Sequence, residues 1–216
     1  MKDAIKKCKE AIAWRREFGV EAIRDCLTEN GDKELASMLK FENATGKTYA
    51  RGYTRDGRAI LYLKPGLENS KNEDDNMKHL VYNIERAIAC TEKNGKEKYV
   101  ILIDYEGWSI STAPSLSTSR MTLKILQHHY PERLFRSYIL NPPFVFRTFW
   151  SLVKPFIDPI TKEKIQFCTG KGGKSIIEKD MDLAKVEPCA FGTTSDMVPF
   201  DSKTYLESPI NLTFDE

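Results

Sequence analysis

The sequence lacks long hydrophobic runs and paired cysteines, and each absence excludes a class of protein. No stretch reaches the roughly 20 apolar residues that a helix needs to span a bilayer. The first residues, MKDAIKKCKEAIAW, are too charged for a secretory signal peptide, so we expect a cytoplasmic protein. The five cysteines are scattered and form no C-x-x-C pair, which favours reduced thiols over disulfides or a zinc site.

The chain also has little net charge. Its 33 basic and 31 acidic residues leave a formal charge of +2, so no nucleic-acid partner is predicted. A local basic patch on a membrane-facing surface is compatible with this balance. At 216 residues, of which 41% are hydrophobic, the chain is long enough for one domain with a substantial core.

The stretch IQFCTGKGGKSI, residues 165–176, resembles the glycine loop of a nucleotide-binding site. A P-loop needs the spacing G-x-x-x-x-G-K-[ST], because its first glycine lets the backbone wrap the phosphates. The fifth residue before Gly173 is Cys168, and the aspartate strand ending at Asp104 precedes the loop instead of following it. The sequence therefore predicts a turn at these glycines, between a strand and a helix.

No other catalytic or metal-binding constellation stands out. The three histidines are His79, His128 and His129, and the adjacent pair cannot present two ligands from one helix face. No serine lies in a G-x-S-x-G motif. Asp104 and Glu106 follow a strand, where α/β sites usually lie, but a capping or ion-pair role is the simpler interpretation. We predict no enzyme, no metal site and no cofactor.

Hydrophobic periodicity predicts alternating strands and helices. Apolar runs indicate strands at 59–63, 99–104, 134–140 and 164–167. Spacings of three and four residues indicate helices at 3–28, 31–41, 75–93, 115–129, 144–154 and 174–186. Such alternation predicts an α/β fold with a largely parallel sheet. From Thr193 onward the periodicity is lost, which indicates a wrapping or loose tail.

The segment 144–157 is the most unusual predicted helix. Prolines at 142, 143, 155 and 159 bracket it and make it a discrete unit. Its narrow polar stripe consists of Arg147, Thr148, Ser151 and Lys154. Apolar side chains cover the rest, although a surface helix needs an apolar face only somewhat wider than about 100°. The segment is therefore either a central core helix or a movable lid, buried on one side and able to meet lipid on the other.

The segment 130–165 carries a resemblance to a known family. Its sequence, YPERLFRSYILNPPFVFRTFWSLVKPFIDPITKEKI, resembles the central signature of the CRAL-TRIO lipid-binding domain family, especially its phosphatidylinositol-transfer branch. The family's Y-P-E-R, N-x-P-x-x-F, K-P-F-[LI]-D-P and T-x-x-K-I motifs occur in order and without gaps. Upstream, DGRAILYLKPG and VILIDYEGWSI are similar to the family's first two strands, and AIAWRREFGVEAI to the end of its N-terminal helical subdomain. The resemblance covers residues 8–192.

The resemblance implies a fold and a function. The implied fold is CRAL-TRIO-like: a largely parallel β-sheet flanked by helices encloses an apolar lipid pocket, with a short N-terminal helical segment. The implied division is a remnant of the helical subdomain at 1–48, the lipid-binding domain at 49–192 and a C-terminal extension at 193–216. We therefore expect a monomeric, non-enzymatic carrier that holds one phospholipid and associates peripherally with membranes. The expected lipid is phosphatidylinositol, with exchange for phosphatidylcholine as an option.

Functional residues carry over where the motifs match. The Glu of Y-P-E-R and the Thr and Lys of D-P-x-T-x-x-K contribute to inositol-phosphate recognition in the family, and here they are Glu132, Thr161 and Lys164. Lys164 would neutralise phosphate, Thr161 would hydrogen-bond to it, and Glu132 would accept from inositol hydroxyls or hold a cation. A surface ion pair or helix cap is the alternative role for each. The expected lid and membrane-contact residues are Phe144, Phe146, Phe149, Trp150, Val153 and Phe156.

Two departures from the family pattern keep other functions open. The sequence begins after the point where the family carries a basic Arg/Lys-Phe element, so we expect one headgroup contact to be missing. The usual L-P-x-E-[FY]-G-G ending is VEPCAFGTTSD here, with Thr193 in place of the second glycine. A carrier of another hydrophobic ligand, such as a sterol, tocopherol or retinoid, is one alternative. A non-transporting module that senses lipid or docks to a partner is another.

Overall fold

The computed structural model describes residues 2–111 and 113–216, with side chains from Ile5 onward. The chain forms a five-stranded sheet flanked by helices. The strands are β1 (Thr48–Tyr53), β2 (Ala59–Leu63), β3 (Tyr99–Asp104), β4 (Leu134–Leu140) and β5 (Ile165–Cys168). The helices are α1 (Lys2–Phe18), α2 (Val20–Asp25), α3 (Lys33–Asn43), α4 (Glu73–Lys93), α5 (Leu116–Lys124), α6 (Phe146–Val153), α7 (Pro159–Lys164), α8 (Gly170–Asp180) and α9 (Ser202–Glu207).

The sheet is largely parallel, as the sequence predicts. Its order is β1-β2-β3-β4-β5; β1 pairs antiparallel with β2, and the other neighbours pair in parallel. The residues 59–62 and 99–102 are almost completely buried, which fits the continuous apolar runs of strands covered on both faces. Parallel strands end at one edge of a sheet. We call the edge with Leu63, Asp104, Leu140 and Cys168 the carboxyl edge, and the opposite one, with Tyr99, Leu134 and Ile165, the amino edge.

The sequence pattern does not predict β1. Its segment, TYARGY, contains an arginine and a glycine in place of a clear apolar alternation. Gly52 has a φ of 63° and lies where the register with β2 shifts, between Ala50 and Tyr53. This irregularity is a bulge, which needs the left-handed conformation that glycine adopts at low cost. A turn that includes Asp56 and Gly57 closes the β1–β2 hairpin.

The long helix α4 is the centre of the core. Asn72 caps its first turn by accepting from the backbone N–H groups of Asp74 and Asp75, and three acidic residues favour the positive end of the helix dipole. The helix is buried on most of its circumference, including Leu80, Ile84 and Ala87. It packs against α2 and α3 as well as against β1 and β2. The helix also buries polar side chains, among them His79 and Arg86, and these therefore need hydrogen-bond partners inside the protein.

The N-terminal helices are shorter than predicted but firmly docked. Gly19, with a φ of 74°, separates α1 from α2, so the predicted helix 3–28 is two helices. The predicted helix 115–129 is α-helical only as far as Lys124, and it continues as a π-helical turn at Ile125–His129. Trp14 of α1 stacks on His129 in that turn, with ring centroids 4.2 Å apart. This stack joins α1 to the π-helical turn.

The tail after Thr193 wraps the domain and does not hang loose. Tyr205 and Leu206 of α9, together with Phe214, are buried in the main core. Arg86 of α4, which is itself fully buried, donates to the carbonyl oxygens of Tyr205 (2.7 Å) and Leu212 (3.0 Å). Buried backbone carbonyls need such donors, so Arg86 ties the C-terminal segment to the central helix.

The glycines at 170–173 form the first turn of α8 and not a turn before it. The predicted start of this helix at 174 is therefore wrong by four residues, and its predicted end at 186 by six. A Cβ at Gly173 would lie only 2.5 Å from the backbone carbon of Cys168. Glycine is required because α8 approaches the end of β5 so closely. The P-loop-like sequence is explained by packing.

The cysteines are free, as expected. Burial raises the pKa of Cys26 and of Cys168 to about 11, and that of Cys90 to about 12. Thiols with such pKa values carry little thiolate at neutral pH and are poor nucleophiles. These three cysteines act as small apolar core residues.

His79 makes the stability of the fold sensitive to mild acid. The side chain is buried, and Asn43 Nδ2 donates to its Nε2 over 2.9 Å, so the ring is neutral. Burial, followed by the charge of Lys47, lowers the pKa of His79 from 6.5 to about 3. Below pH 6.5 the unfolded chain binds a proton that the native chain does not, so stability falls as the pH falls. We expect the free energy of unfolding to drop by about 2 kcal/mol between about pH 6.5 and pH 5.

Urea unfolding of the native protein and of His79→Gln at the two pH values tests this expectation. The slope of stability against pH should be smaller in the variant, whatever its absolute stability. His129, whose pKa burial lowers to about 4, remains in both proteins and leaves a residual slope of the same sign. Equal losses in the two proteins would show that His79 is not the source.

Candidate functional site

The connection from β4 to β5 runs along the sheet. It leaves the carboxyl edge after Leu140 and returns to the amino edge at Ile165, so it covers the length of the strands between these edges. We call residues 141–164 the lid. It contains α6, a 3-10 turn at Lys154–Phe156, and α7. Prolines at 142, 143, 155 and 159 end or begin its pieces, because proline cannot continue a preceding helix.

The inner face of the lid is aromatic. Phe146 and Val153 are buried, and Phe149 and Trp150 are half-buried. The ring of Phe146 lies 4.3 Å from that of Tyr105 in the loop after β3, and Phe149 lies 5.3 Å from Trp108. We call this group the lid cluster; its members are Tyr105, Trp108, Phe146, Phe149, Trp150 and Phe167. Each aromatic pair contributes about 0.5–1.5 kcal/mol beyond area burial, so the cluster holds the lid on the sheet.

The outer face of the lid is also apolar, but it is exposed. Phe144 is 81% exposed, and Leu152, Phe156 and Ile160 are at least 40% exposed. The segment is thus a helix buried on one side and not a central core helix. The polar stripe of the prediction also lies outside, with Arg147 and Lys154 exposed. Among the expected lid residues, Phe146 and Val153 face inward, and Phe144 and Phe156 face outward.

Hydrogen bonds fix both ends of the lid. At the carboxyl edge, Asn141 has a φ of 48° and donates from Nδ2 to Asp104 Oδ1 over 2.9 Å. Asp104 is buried and also accepts from the backbone N–H of Glu106, so it has the structural role that the sequence favours. At the other end, Gln127 donates to the carbonyl of Phe156 (3.2 Å) and accepts from the backbone N–H of Asp158 (2.7 Å).

A cavity lies beside the first of these attachments. Its volume is about 510 Å³, and its lining includes Tyr105, Trp108, Asn141, Pro143 and Phe191. Trp108 is 5% exposed, and its Nε1 has no hydrogen-bond acceptor in the part of the chain that the structure describes. A buried indole N–H of this kind is uncommon and calls for an acceptor. Trp108 thus lines this cavity at the start of the lid and carries a buried N–H that has no acceptor among the described residues.

At the amino edge, two lysines converge on Glu132. Lys98 Nζ lies 2.8 Å from Glu132 Oε2, and Lys164 Nζ lies 3.9 Å from the same oxygen. The hydrogen bond from Lys98, followed by the charge of Lys164, lowers the pKa of Glu132. Glu132 has a φ of 59°, a backbone conformation uncommon outside glycine that often accompanies functional sites. Two of the three predicted headgroup residues thus meet in space.

Thr161 lies nearby, but its hydroxyl is engaged. It donates to Asp158 Oδ2 over 2.5 Å, while its backbone N–H donates to Asp158 Oδ1 over 2.9 Å. Asp158 is the N-cap of α7, and Thr161 and Lys164 follow it on the same helix. Burial would raise the pKa of Asp158, but the hydrogen bonds from Thr161 hold it below its usual range. In this conformation the Thr161 oxygen can accept a hydrogen bond but has no free proton to give to a phosphate.

Lys98 is a residue that the sequence did not single out. It directly precedes β3, and the backbone N–H of its neighbour Tyr99 donates to the carbonyl of Arg133. This pairing places Lys98 next to the Y-P-E-R segment, which precedes β4 in the same way. Lys98 could be predicted as a site residue only if β3 were already known to pair with β4, the strand that follows the Y-P-E-R motif.

The chain belongs to the CRAL/TRIO domain family, whose model matches residues 43–188. This family binds lipids and is not catalytic. The chain is 39% identical over 165 residues to the CRAL-TRIO domain-containing protein C23B6.04c of Schizosaccharomyces pombe, covering 76% of the chain and 15% of that protein. It is 33% identical over 170 residues to the phosphatidylinositol transfer protein PDR17 of Saccharomyces cerevisiae, covering 76% of the chain and 47% of that protein. The chain therefore spans less than half the length of these two relatives.

The fold agrees with a solved structure. The crystal structure of Sfh5 matches with a TM-score of 0.61 at 20% identity, covering 96% of this chain and 75% of that one. An identity this low establishes the shared architecture and nothing about the ligand. No helix in the described ranges, 2–111 and 113–216, is long and apolar enough to span a membrane.

Proposed function

We propose that this protein holds a single phospholipid, phosphatidylinositol in the first place and phosphatidylcholine in exchange, and transfers or presents it between membranes. The observation that carries the proposal is the pair of lysines converging on Glu132 at one end of the lid, while an aromatic inner face extends to the other end. A headgroup and two acyl chains have this same division into a charged and an apolar part. The name of the yeast phosphatidylinositol transfer protein supports the choice of lipid.

The charge of the amino-edge site supports a phosphodiester. Lys98 and Lys164 contribute two positive charges and Glu132 one negative charge, so the trio has a net charge of +1. The phosphodiester group of phosphatidylinositol carries one negative charge and would neutralise the trio through charge-assisted hydrogen bonds. Glu132 and Thr161 would then accept hydrogen bonds from inositol hydroxyls. The Thr161 hydroxyl donates its proton to Asp158 and Glu132 accepts from Lys98, but the oxygens of both side chains have further lone pairs.

The acyl chains would lie under the lid. They would take the place of contacts within the lid cluster, and Trp108 Nε1 would donate to an ester carbonyl oxygen. Each buried CH₂ stabilises the complex by about 0.8 kcal/mol, so escape into water is slow. Exchange therefore requires the lid to move at a bilayer, where exposed Phe and Trp side chains are well accommodated.

A transfer assay tests this function directly. Donor vesicles carry labelled phosphatidylinositol, and the protein is expected to move it to acceptor vesicles and to compete with labelled phosphatidylcholine for the same site. Binding of one lipid per chain should accompany transfer. A protein that carries neither lipid in this assay would overturn the proposal.

A carrier of an uncharged hydrophobic ligand is the second candidate. The observation in its favour is that the polar groups are already satisfied: Glu132 pairs with Lys98 and Lys164, and Thr161 with Asp158. A sterol, tocopherol or retinoid would need only apolar contacts, such as those that the lid cluster could offer. Extraction of such a molecule from the purified protein, with no phospholipid, would favour this candidate.

The outer face of the lid gives a prediction about exchange. Leu152 is 50% exposed, so its insertion into a bilayer contributes about half of the roughly 1.5–3 kcal/mol of a fully buried Leu, and a carboxylate at this position adds a cost of desolvation. We expect Leu152→Asp to slow transfer at least about tenfold while the amount of bound lipid stays the same. The measurement is the initial rate of transfer between vesicles. Ser151→Asp is the matched control, because it adds the same charge to the polar stripe one residue away, and equal rates in the two variants would contradict insertion of this face.

A further inference from the structure

The lid lies in a strongly basic part of a nearly neutral chain. Residues 120–174 contain ten basic and three acidic residues, whereas the rest of the chain contains 23 basic and 28 acidic residues. The segment therefore has a net charge of +7 and the remainder one of −5. Of its three acidic residues, Glu132 is held by Lys98 and Asp158 caps α7. The surface around the lid is positive because few acidic groups there are free.

Most of these cations form no ion pair with another described residue. In the part of the chain that the structure describes, seven of the ten basic residues form no ion pair, while Arg133, Arg136 and Lys164 do. We call the seven the cation belt: Arg120, Lys124, Arg147, Lys154, Lys162, Lys171 and Lys174. All but the half-buried Lys162 are exposed. Unpaired charges of one sign repel each other, so this concentration disfavours the folded state and calls for an external anion.

The cation belt borders the apolar outer face of the lid. The Arg120 guanidinium lies 4.2 Å from the ring centre of Phe156, and that of Arg147 lies 5.3 Å from the ring centre of Phe144. Lys154 and Phe156 share one 3-10 turn. Exposed apolar side chains and free cations thus occupy one surface. A partner for it must be apolar within and anionic outside, and a bilayer with anionic headgroups has this structure.

We propose that the outer face of the lid docks on anionic membranes, so that the protein exchanges lipid with them in preference to neutral ones. The proposal rests on the proposed transfer function and adds the chemical class of membrane. Phe144, Leu152 and Phe156 enter the interface, and the cation belt binds the phosphate and carboxylate groups around them. Attraction of this kind reaches only about one Debye length, about 10 Å at 0.1 M salt, so it acts once the lid faces the bilayer.

Vesicle co-sedimentation tests the surface independently of the bound lipid. Vesicles of phosphatidylcholine alone are compared with vesicles that contain about 30 mol% phosphatidylserine, at about 0.1 M and about 0.5 M salt. The protein is expected to bind the anionic vesicles at least about tenfold more tightly, and to lose this preference at high salt. Equal binding to both vesicles would overturn the proposal.

A matched pair of variants assigns the effect to the lid. The triple variant R120Q/R147Q/K154Q should weaken binding to anionic vesicles by about fivefold per cation, and about 100-fold in all. The control K33Q/K40Q/K203Q removes three exposed lysines on α3 and α9 and should bind like the native protein. An unchanged triple variant would place the contact elsewhere and overturn the proposal.

Lipid content separates this proposal from the function it rests on. Mass spectrometry of the same purified proteins measures bound phospholipid without any vesicle. Bound lipid with no preference for anionic vesicles would overturn the docking surface and leave the carrier function intact. A salt-sensitive preference in a protein that carries no lipid would support the docking surface and overturn the carrier function.

Discussion

The double variant Thr161→Ala/Lys164→Ala is expected to lose phosphatidylinositol loading. Lys164 supplies one of the two positive charges at the amino-edge site, and Thr161 supplies an acceptor one helical turn away. The charged hydrogen bond from Lys164 is worth about 1.5–3 kcal/mol and the neutral one to Thr161 about 0.5–1.5 kcal/mol, so loss of both should weaken binding at least about 30-fold. The measurement is the amount of phosphatidylinositol taken up from vesicles, read by mass spectrometry.

The fold should tolerate this variant. The Lys164 side chain forms one long ion pair of 3.9 Å with the exposed Glu132, and exposed pairs contribute about 0–1 kcal/mol. The cap of α7 keeps the backbone N–H of residue 161 after the Thr161 hydroxyl is removed. Lys179→Ala on α8 is the control, because it removes an exposed lysine outside the lid and the cation belt, and it should load normally. Lys98→Ala alone should weaken loading about tenfold, as the loss of one charged contact. Normal loading by the double variant would remove Thr161 and Lys164 from the site.

The variant Arg86→Met is expected to destabilise the protein by about 3–5 kcal/mol. Arg86 is fully buried, stacks on Tyr205 at 3.9 Å and donates to two carbonyl groups and to the Ser208 hydroxyl. Methionine fills much of the volume but leaves these buried acceptors without a donor, at about 1–3 kcal/mol each. The measurement is the midpoint of urea unfolding, together with limited proteolysis of the segment 193–216.

Lys93→Met is the matched control, because Lys93 also joins α4 to the C-terminal segment. Its ion pair with Glu216 is partly exposed and should contribute less than about 1 kcal/mol. The two variants therefore remove the same kind of connection at different depths. If they lost the same stability, burial of Arg86 would not be what fastens the tail.

The strands were predictable to the extent that their sequences are apolar. The runs AILYL and YVILID allow few structures other than strands buried on both faces. β1 could not be predicted, because its pattern TYARGY is interrupted by Gly52, whose bulge becomes visible only beside β2. The start of α8 was predicted four residues too late for a related reason. Glycines usually end a helix, and only the close approach to Cys168 explains why they begin one here.

The sequence motifs predicted three residues of the candidate site but not the hydrogen bonds and ion pairs between them. Motif spacing selected Glu132 and Lys164, which the fold brings together, whereas Lys98 enters only through the pairing of β3 with β4. The engagement of Thr161 by Asp158 depends on how α7 is capped, which the sequence D-P-x-T suggests but does not require. The assignment of these residues to a headgroup and of the lid to a membrane contact stays a prediction.

The lid was the most informative feature of the sequence. A helix that is apolar nearly all round has two explanations, and the pattern alone does not choose between them. Exposure of Phe144 and Leu152 on one side, with Phe146 and Val153 buried on the other, excludes a central core helix, and movement of this segment as a lid stays a prediction. Its path from the carboxyl edge to the amino edge then sets the polarity of the site. A lipid would place its headgroup near Glu132 and its chains toward Trp108.

Native mass spectrometry of the purified protein, followed by extraction and identification of the bound molecule, tests the central claim most directly. The proposed function predicts one phosphatidylinositol or phosphatidylcholine molecule per chain, lost when the lipid is extracted and regained from vesicles. A protein that is empty as purified and takes up neither lipid from vesicles would contradict the claim.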